Sequence, residues 1–434
     1  MLRSISACRT RRAWTKAKLV STRAGSNPTP RNAARSVVLI VTGALGNRRK
    51  EQYGPRRAIA VGQALDGKRS KEPRTHSVVR SKRLLLPYMG LALALALVGR
   101  TAMGATSADI DTSSDIAYRL GNGLRIPGTN FVLGGYATGS YERSDDAPSR
   151  AAIDNLSLFL WWDGSERWKF FSELEYDNLL LTRTATTGGR RGENGYLSLE
   201  RLYLDFALTD SISVRGGKFL TPIGRWNLIH ATPLVWTTSR PLTTSLAFPT
   251  NMTGVMVMQT LPDFGSGVEY SIFGSTGDEI RPNPAIDTFS QAVGGHVTVH
   301  AGSQTQIGFS YADFEQDKTR PEKHKRLVGL DFVWEHGRYE LSAEGIYRYS
   351  DIGPDWDERG GFVQFVAPLT RNLYAVGRYE SFRVAREPNS TQLWVGGLNY
   401  RITPALVLKA EWIAGSHNTV GAPTGFLSSI SVLL

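Results

Sequence analysis

From about residue 130 to the C-terminus, apolar and polar positions alternate with a period of two, in runs of roughly ten residues. Residues 391–402 and 405–415, joined by Thr403-Pro404, form the clearest pair. Leu406, Leu408, Ala410, Trp412 and Ala414 make one face of the second run; Val407, Lys409, Glu411 and Ile413 make the other. The same unit recurs along the chain. The connections alternate between tight turns and longer polar segments at 142–152, 178–195, 221–250, 276–288, 315–325, 350–359, 384–390 and 416–424. Sixteen strands are predicted, near 130–141, 153–162, 167–177, 196–207, 212–220, 251–260, 267–275, 289–300, 305–314, 326–335, 339–349, 360–367, 373–383, 391–402, 405–415 and 425–434.

A bilayer admits only helices or closed barrels, because every backbone polar group must find a partner within the protein. Spanning strands need about 9–11 residues, apolar toward lipid and polar toward the lumen. The pattern therefore predicts an all-β fold, a transmembrane antiparallel β-barrel with short periplasmic turns and long extracellular loops. A barrel of this size encloses water rather than a packed interior. Aromatics near strand ends, such as Trp161, Trp162, Trp168, Trp334, Tyr347, Tyr349, Trp394, Tyr400 and Trp412, fit girdles at the two interfaces.

Charge changes the picture of the N-terminus. The net charge of +12 belongs to residues 1–105, with 22 Lys and Arg against 3 Asp and Glu; residues 106–434 carry 29 against 36. The barrel portion is mildly acidic, which argues against a nucleic-acid partner. Arg80-Ser81-Lys82-Arg83, the apolar stretch 84–98 and the small-residue exit through Gly104-Ala105 fit a signal peptide at 80–105. Residues 1–79 are Arg-rich and aperiodic; we expect an extension ahead of a true start near Val78, Val79 or Met89. Residues 106–129 are expected to be a periplasmic segment leading into the barrel at 130–434. The only cysteine is Cys8, so the mature barrel has no thiol chemistry.

Two segments carry a resemblance. Ile126-Pro127-Gly128-Thr129-Asn130-Phe131-Val132-Leu133-Gly134-Gly135-Tyr136 resembles the opening of sixteen-stranded Gram-negative porins of the phosphate- and dicarboxylate-selective kind. Gly216-Gly217-Lys218-Phe219-Leu220-Thr221-Pro222-Ile223-Gly224 is similar to a strand-to-loop segment of the same porins. The last strand alternates as theirs does at Phe426, Ile430, Val432 and Leu434, although Leu434 replaces the usual terminal aromatic and Ser428 interrupts the series. The resemblance implies an outer-membrane porin passing small hydrophilic solutes without a cofactor, and a homotrimer in outer-membrane lipid. It also leaves room for a channel selective for small anions such as phosphate or dicarboxylates. A structural or adhesion barrel with a blocked lumen is the reading from a different class.

The loop 221–250 is long for a connection without a function. In such porins the loop after the fifth strand narrows the pore, so Arg225, Trp226, Asn227, His230 and Arg240 become constriction candidates by resemblance. Parity places Glu173, Glu175, Arg201, Asp205 and Arg215 on the polar face of neighbouring strands, with an expected bulge at Glu200-Arg201. Lys218 joins them from the porin-like segment. Glu269, Asp331, Glu344, Arg348, Arg378, Glu380, Arg401, Lys409 and Glu411 also fall on the polar face. Inward placement of these charges is nearly forced, because each costs about 2–4 kcal/mol at mid-membrane on the lipid side. The seven histidines show no His-Glu-x-x-His spacing, and there is neither a Gly-x-Ser-x-Gly elbow nor a phosphate-binding loop. An enzyme is not expected.

Overall fold

A computed structural model describes residues 117–434, except 145–147, 185–189, 194, 230, 284–286 and 317–323. The expectations for residues 1–79 and 80–105, and the first part of 106–129, lie outside the described residues, as does His230.

Sixteen antiparallel strands close into a barrel. In chain order they are β1 (Phe131–Arg143), β2 (Arg150–Asp163), β3 (Trp168–Thr184), β4 (Tyr196–Ala207), β5 (Ile212–Leu220), β6 (Asn251–Leu261), β7 (Val268–Thr276) and β8 (Phe289–Ala301). Then come β9 (Thr305–Gln316), β10 (His324–His336), β11 (Tyr339–Ser350), β12 (Glu358–Pro368), β13 (Leu373–Arg383), β14 (Thr391–Thr403), β15 (Leu406–Ser416) and β16 (Gly425–Leu433). Each strand pairs with the next, and β16 pairs with β1 from Phe426↔Arg143 to Leu433↔Tyr136. Closure leaves no sheet edge, which is what a strand protein needs in hydrocarbon.

The alternation inverts the rule for soluble proteins. Leu330, Ile272, Val255, Val293, Val363, Trp394 and Trp412 are exposed, while Asp331, Arg378, Glu380, Lys409 and Glu411 are buried. Apolar side chains meet lipid and the polar ones turn inward. Trp168 packs on Phe206 at the turn end, and Tyr379 on Trp394 and Tyr347 on Tyr349 at the loop end, giving two outward aromatic levels. Trp161 departs from the expected girdle: it lies edge-on to Phe171 on the inner face.

Three short strands were not expected. Ala117–Arg119 and Gly123–Arg125 pair with each other, and the second adds to the start of β1 at Leu124↔Leu133. This hairpin occupies the seam just where β16 runs out. β3 continues past its expected end and pairs from Leu181 to Thr184 with Arg190–Glu193, so part of the connection 178–195 is paired strand rather than loop.

Candidate functional site

The long connection 221–250 runs inside the barrel, and the residues that launch it explain the porin-like segment. Gly217 has φ +126°, and a Cβ there would sit 2.2 Å from the Leu202 carbonyl oxygen. Phe219 and Ile223 are fully buried in an apolar cluster with Leu242, Ala247 and Phe248 from the far end of the same connection. Thr221 donates its hydroxyl to Pro249 O at 2.7 Å, and Asn227 Nδ2 donates to Thr221 O and Thr250 O, which clasps the two ends together. Gly224 has φ +65°, and a Cβ there would press on the Glu344 carboxylate at 2.6 Å.

From this clasp the segment follows one side of the inner wall. Ser310 on β9 accepts from Gly224 N. Glu344 on β11 accepts from the backbone N–H groups of Arg225 (2.8 Å) and Trp226 (2.5 Å). Trp236 donates Nε1–H to Glu340, and its carbonyl accepts from Asn399 on β14. Glu411 on β15 accepts from Thr238 N (3.1 Å) and Ser239 N (2.7 Å), and Glu380 on β13 accepts from Leu242 N (2.7 Å). Arg378 donates to Thr237 Oγ1, Ser239 O and Ser239 Oγ; Lys409 donates to Thr232 O and Thr237 O. Arg348 donates to Ala247 O and pairs with Glu358. Wall charges thus satisfy the orphan backbone groups of an irregular segment, the condition for burying one at all. At its tip, Ala231 and Leu234 pack against Tyr136, Ala405 and Leu433.

Four of the residues singled out on β3–β5 form two matched pairs on the other side. Glu173 and Arg201 are register partners joined at 2.5 Å, and Arg215 grips Asp205 with Nε and Nη2 at 2.7 and 2.9 Å. The register slips between Glu173 and Leu174, leaving Glu200 as the extra residue of a bulge, at the position where parity breaks in the sequence. Arg201 lies over Phe171 (4.5 Å) and Arg215 over Tyr203 (3.7 Å), which fixes both guanidinium planes. Glu175 accepts from Tyr136, Asn155 and Ser157.

Lys218 belongs to neither group. It is buried, pairs with Glu279 at 2.6 Å and donates to Arg281 O at 3.1 Å. The connection 276–288 therefore also reaches inward, and Asn283 bonds Glu200, which Asn251 also holds. Nothing in the sequence flags this second inward segment. Arg225 is half-buried, 3.8 Å from Glu335. Trp226 and Asn227 are buried, with Arg240 over the Trp226 ring at 4.8 Å and donating to Asn227 Oδ1 and Thr244 O. Burial pushes the Arg240 guanidinium down to about 10, so it remains a cation at neutral pH. Among the described residues no group of His, Cys, Asp and Glu is arranged to hold a metal ion.

A sixteen-stranded barrel with the connection after its fifth strand laid along the inner wall has the fold of an outer-membrane porin. OmpF of Salmonella typhi, solved in complex with daunomycin, superposes with a TM-score of 0.52 at 11% identity, over 70% of this chain and 97% of that one. OmpT, an outer membrane protein of Vibrio cholerae in trimer form, gives 0.50 at 9% identity over 70% and 99%. An anion-selective porin from Comamonas acidovorans gives 0.47 at 14% identity over 70% and 98%. An uncharacterized protein of Aquifex aeolicus is 32% identical over 120 residues, 27% of this chain, and the match spans about a quarter (26%) of that protein. No family model matches the chain. At such identities the likeness to solved structures speaks for the fold.

Proposed function

We propose that this chain is an outer-membrane channel through which small hydrophilic solutes diffuse passively, without catalysis or cofactor. One observation carries the reading. Every wall-to-connection hydrogen bond named above for 224–247 goes to β9, β11 or β13–β15, while on β3–β5 Glu173 pairs with Arg201 and Asp205 with Arg215. An inner segment held against one half of a barrel narrows the lumen and leaves charged side chains of the other half as its counter-wall. Export by the signal peptide at 80–105 and assembly as a homotrimer are parts of the same proposal.

A second reading, a channel preferring small anions, is favoured by the composition of 221–250. That segment carries Arg225, Arg240 and His230 and has no Asp or Glu. The counter-wall holds both signs in matched pairs, which limits the preference.

Single-channel recording of the refolded protein in planar bilayers tests both. Stable ohmic steps with weak selectivity support the general channel. Strong anion selectivity, reduced in Arg225→Ala, supports the second reading. A heat-modifiable folded barrel without conductance sinks both and leaves a barrel with a blocked lumen.

A further inference from the structure

The outer surface carries a feature that the channel reading does not use. Leu330, Gly345, Gly361 and Ser381 are successive register partners across β10–β13. Three small residues in a row, all on the lipid-facing parity, leave a shallow groove between a row carrying Val328 and Tyr347 and a row carrying Phe332, Val363 and Tyr379. Its volume is about 520 Å³, and Ile307, Leu330, Val363 and Tyr379 contribute to its lining.

The row directly above, at the loop end, is Tyr347, Arg359 and Arg383, again in register. Two arginines stand directly opposite each other on the outer face. Like charges in that position destabilise a sheet. Among the described residues neither has a carboxylate partner: Arg383 donates only to Asp357 O at 3.3 Å, and its buried Nε has no hydrogen bond. The carboxylate of Asp357 is itself engaged by Tyr347 and by Ser350 N. Below the groove, Tyr379 packs on Trp394 with tilted rings and centroids 4.4 Å apart. From rim to mid-barrel the face thus reads cationic, then recessed, then aromatic, then aliphatic.

We propose that this face of β10–β14 is a docking site for an outer-leaflet lipid with a phosphate headgroup, its phosphate between Arg359 and Arg383 and an acyl chain in the groove. The charge complementarity chooses the headgroup: two adjacent guanidinium groups lacking a counterion match one phosphate. The groove chooses a lipid over a free anion, because the cationic pair opens downward onto apolar surface at bilayer depth. The site rests on the barrel being membrane-embedded and is independent of conduction.

Native mass spectrometry of the purified full-length chain in detergent, titrated with dimyristoyl phosphatidate, tests it. Dimyristoylglycerol and inorganic phosphate serve as the two comparison arms. The expected result is retention of phosphatidate, weakened about tenfold or more in Arg359→Gln/Arg383→Gln, which removes both charge-assisted contacts to the phosphate. Gly345→Leu should weaken it as well by filling the groove; a Cβ at Gly345 meets only the Gly360 carbonyl oxygen, at 3.8 Å, and heat modifiability of the variant checks that it folds. Arg359→Lys/Arg383→Lys should retain binding, and single-channel conductance should be unchanged in all three variants. Equal binding of phosphatidate and dimyristoylglycerol overturns the proposal, as does an unaffected Gln double variant. Displacement of phosphatidate by millimolar inorganic phosphate overturns the lipid assignment in favour of a free-anion site.

Discussion

Glu411 offers the sharpest test of how the inner segment is held. Its carboxylate accepts from the backbone N–H groups of Thr238 and Ser239, and the residue is 3% exposed. Glu411→Ala removes both acceptors and leaves two buried donors. At about 1.5–3 kcal/mol for each hydrogen bond to a charged group, the segment around 237–242 loses about 3–6 kcal/mol of local stability. The strands themselves keep their ladder bonds, so the barrel should stay folded and heat-modifiable. Amide hydrogen exchange in detergent reads the effect directly. Local opening free energy sets protection, so the Thr238 and Ser239 amides should exchange about 10²–10⁴-fold faster, at roughly 1.4 kcal/mol per decade. Amides of β3 and β4, which make none of the named contacts with this segment, should not change. Glu411→Gln keeps one acceptor and should fall between. Open-channel current noise should rise in parallel if the segment borders the pore. Protection at Thr238 and Ser239 within about tenfold of wild type would refute the claim that this carboxylate holds the segment in place.

Other outcomes follow from the same geometry. Asp205→Ala frees the Arg215 guanidinium and should shift the zero-current potential toward anions, while Arg215→Ala should shift it toward cations; identical shifts would rule out this pair as part of the lumen field. Leu330→Arg places a charge at a 62% exposed position halfway along β10 and should cost about 2–4 kcal/mol in folding titrations into lipid vesicles. Gly217→Ala forces a methyl group 2.2 Å from the Leu202 carbonyl oxygen at φ +126°, and should cost at least about 1–3 kcal/mol, measured as a lowered temperature of heat modification.

The sequence by itself determined the barrel. Lipid on one side and water on the other impose a period of two on every spanning strand, so strand number, inward parity and the Glu200 bulge are written locally. The unforeseen pairings at 117–125 and from Leu181 to Glu193 are short or lie beyond the lipid band, where no solvent contrast enforces alternation. Tertiary structure decided the path of 221–250. Its length and lack of acidic residues mark it as unusual, yet its partners lie far away in sequence: Glu344 and Glu411 come more than a hundred residues later. Backbone N–H groups carry no sequence signature, so nothing in Thr238-Ser239 announces a carboxylate acceptor. The same holds for Lys218, whose counterion Glu279 sits on a different connection, and for Arg359 and Arg383. Those two arginines become neighbours only when β12 and β13 pair in one particular register, because a β-ladder converts separation along the chain into adjacency across strands.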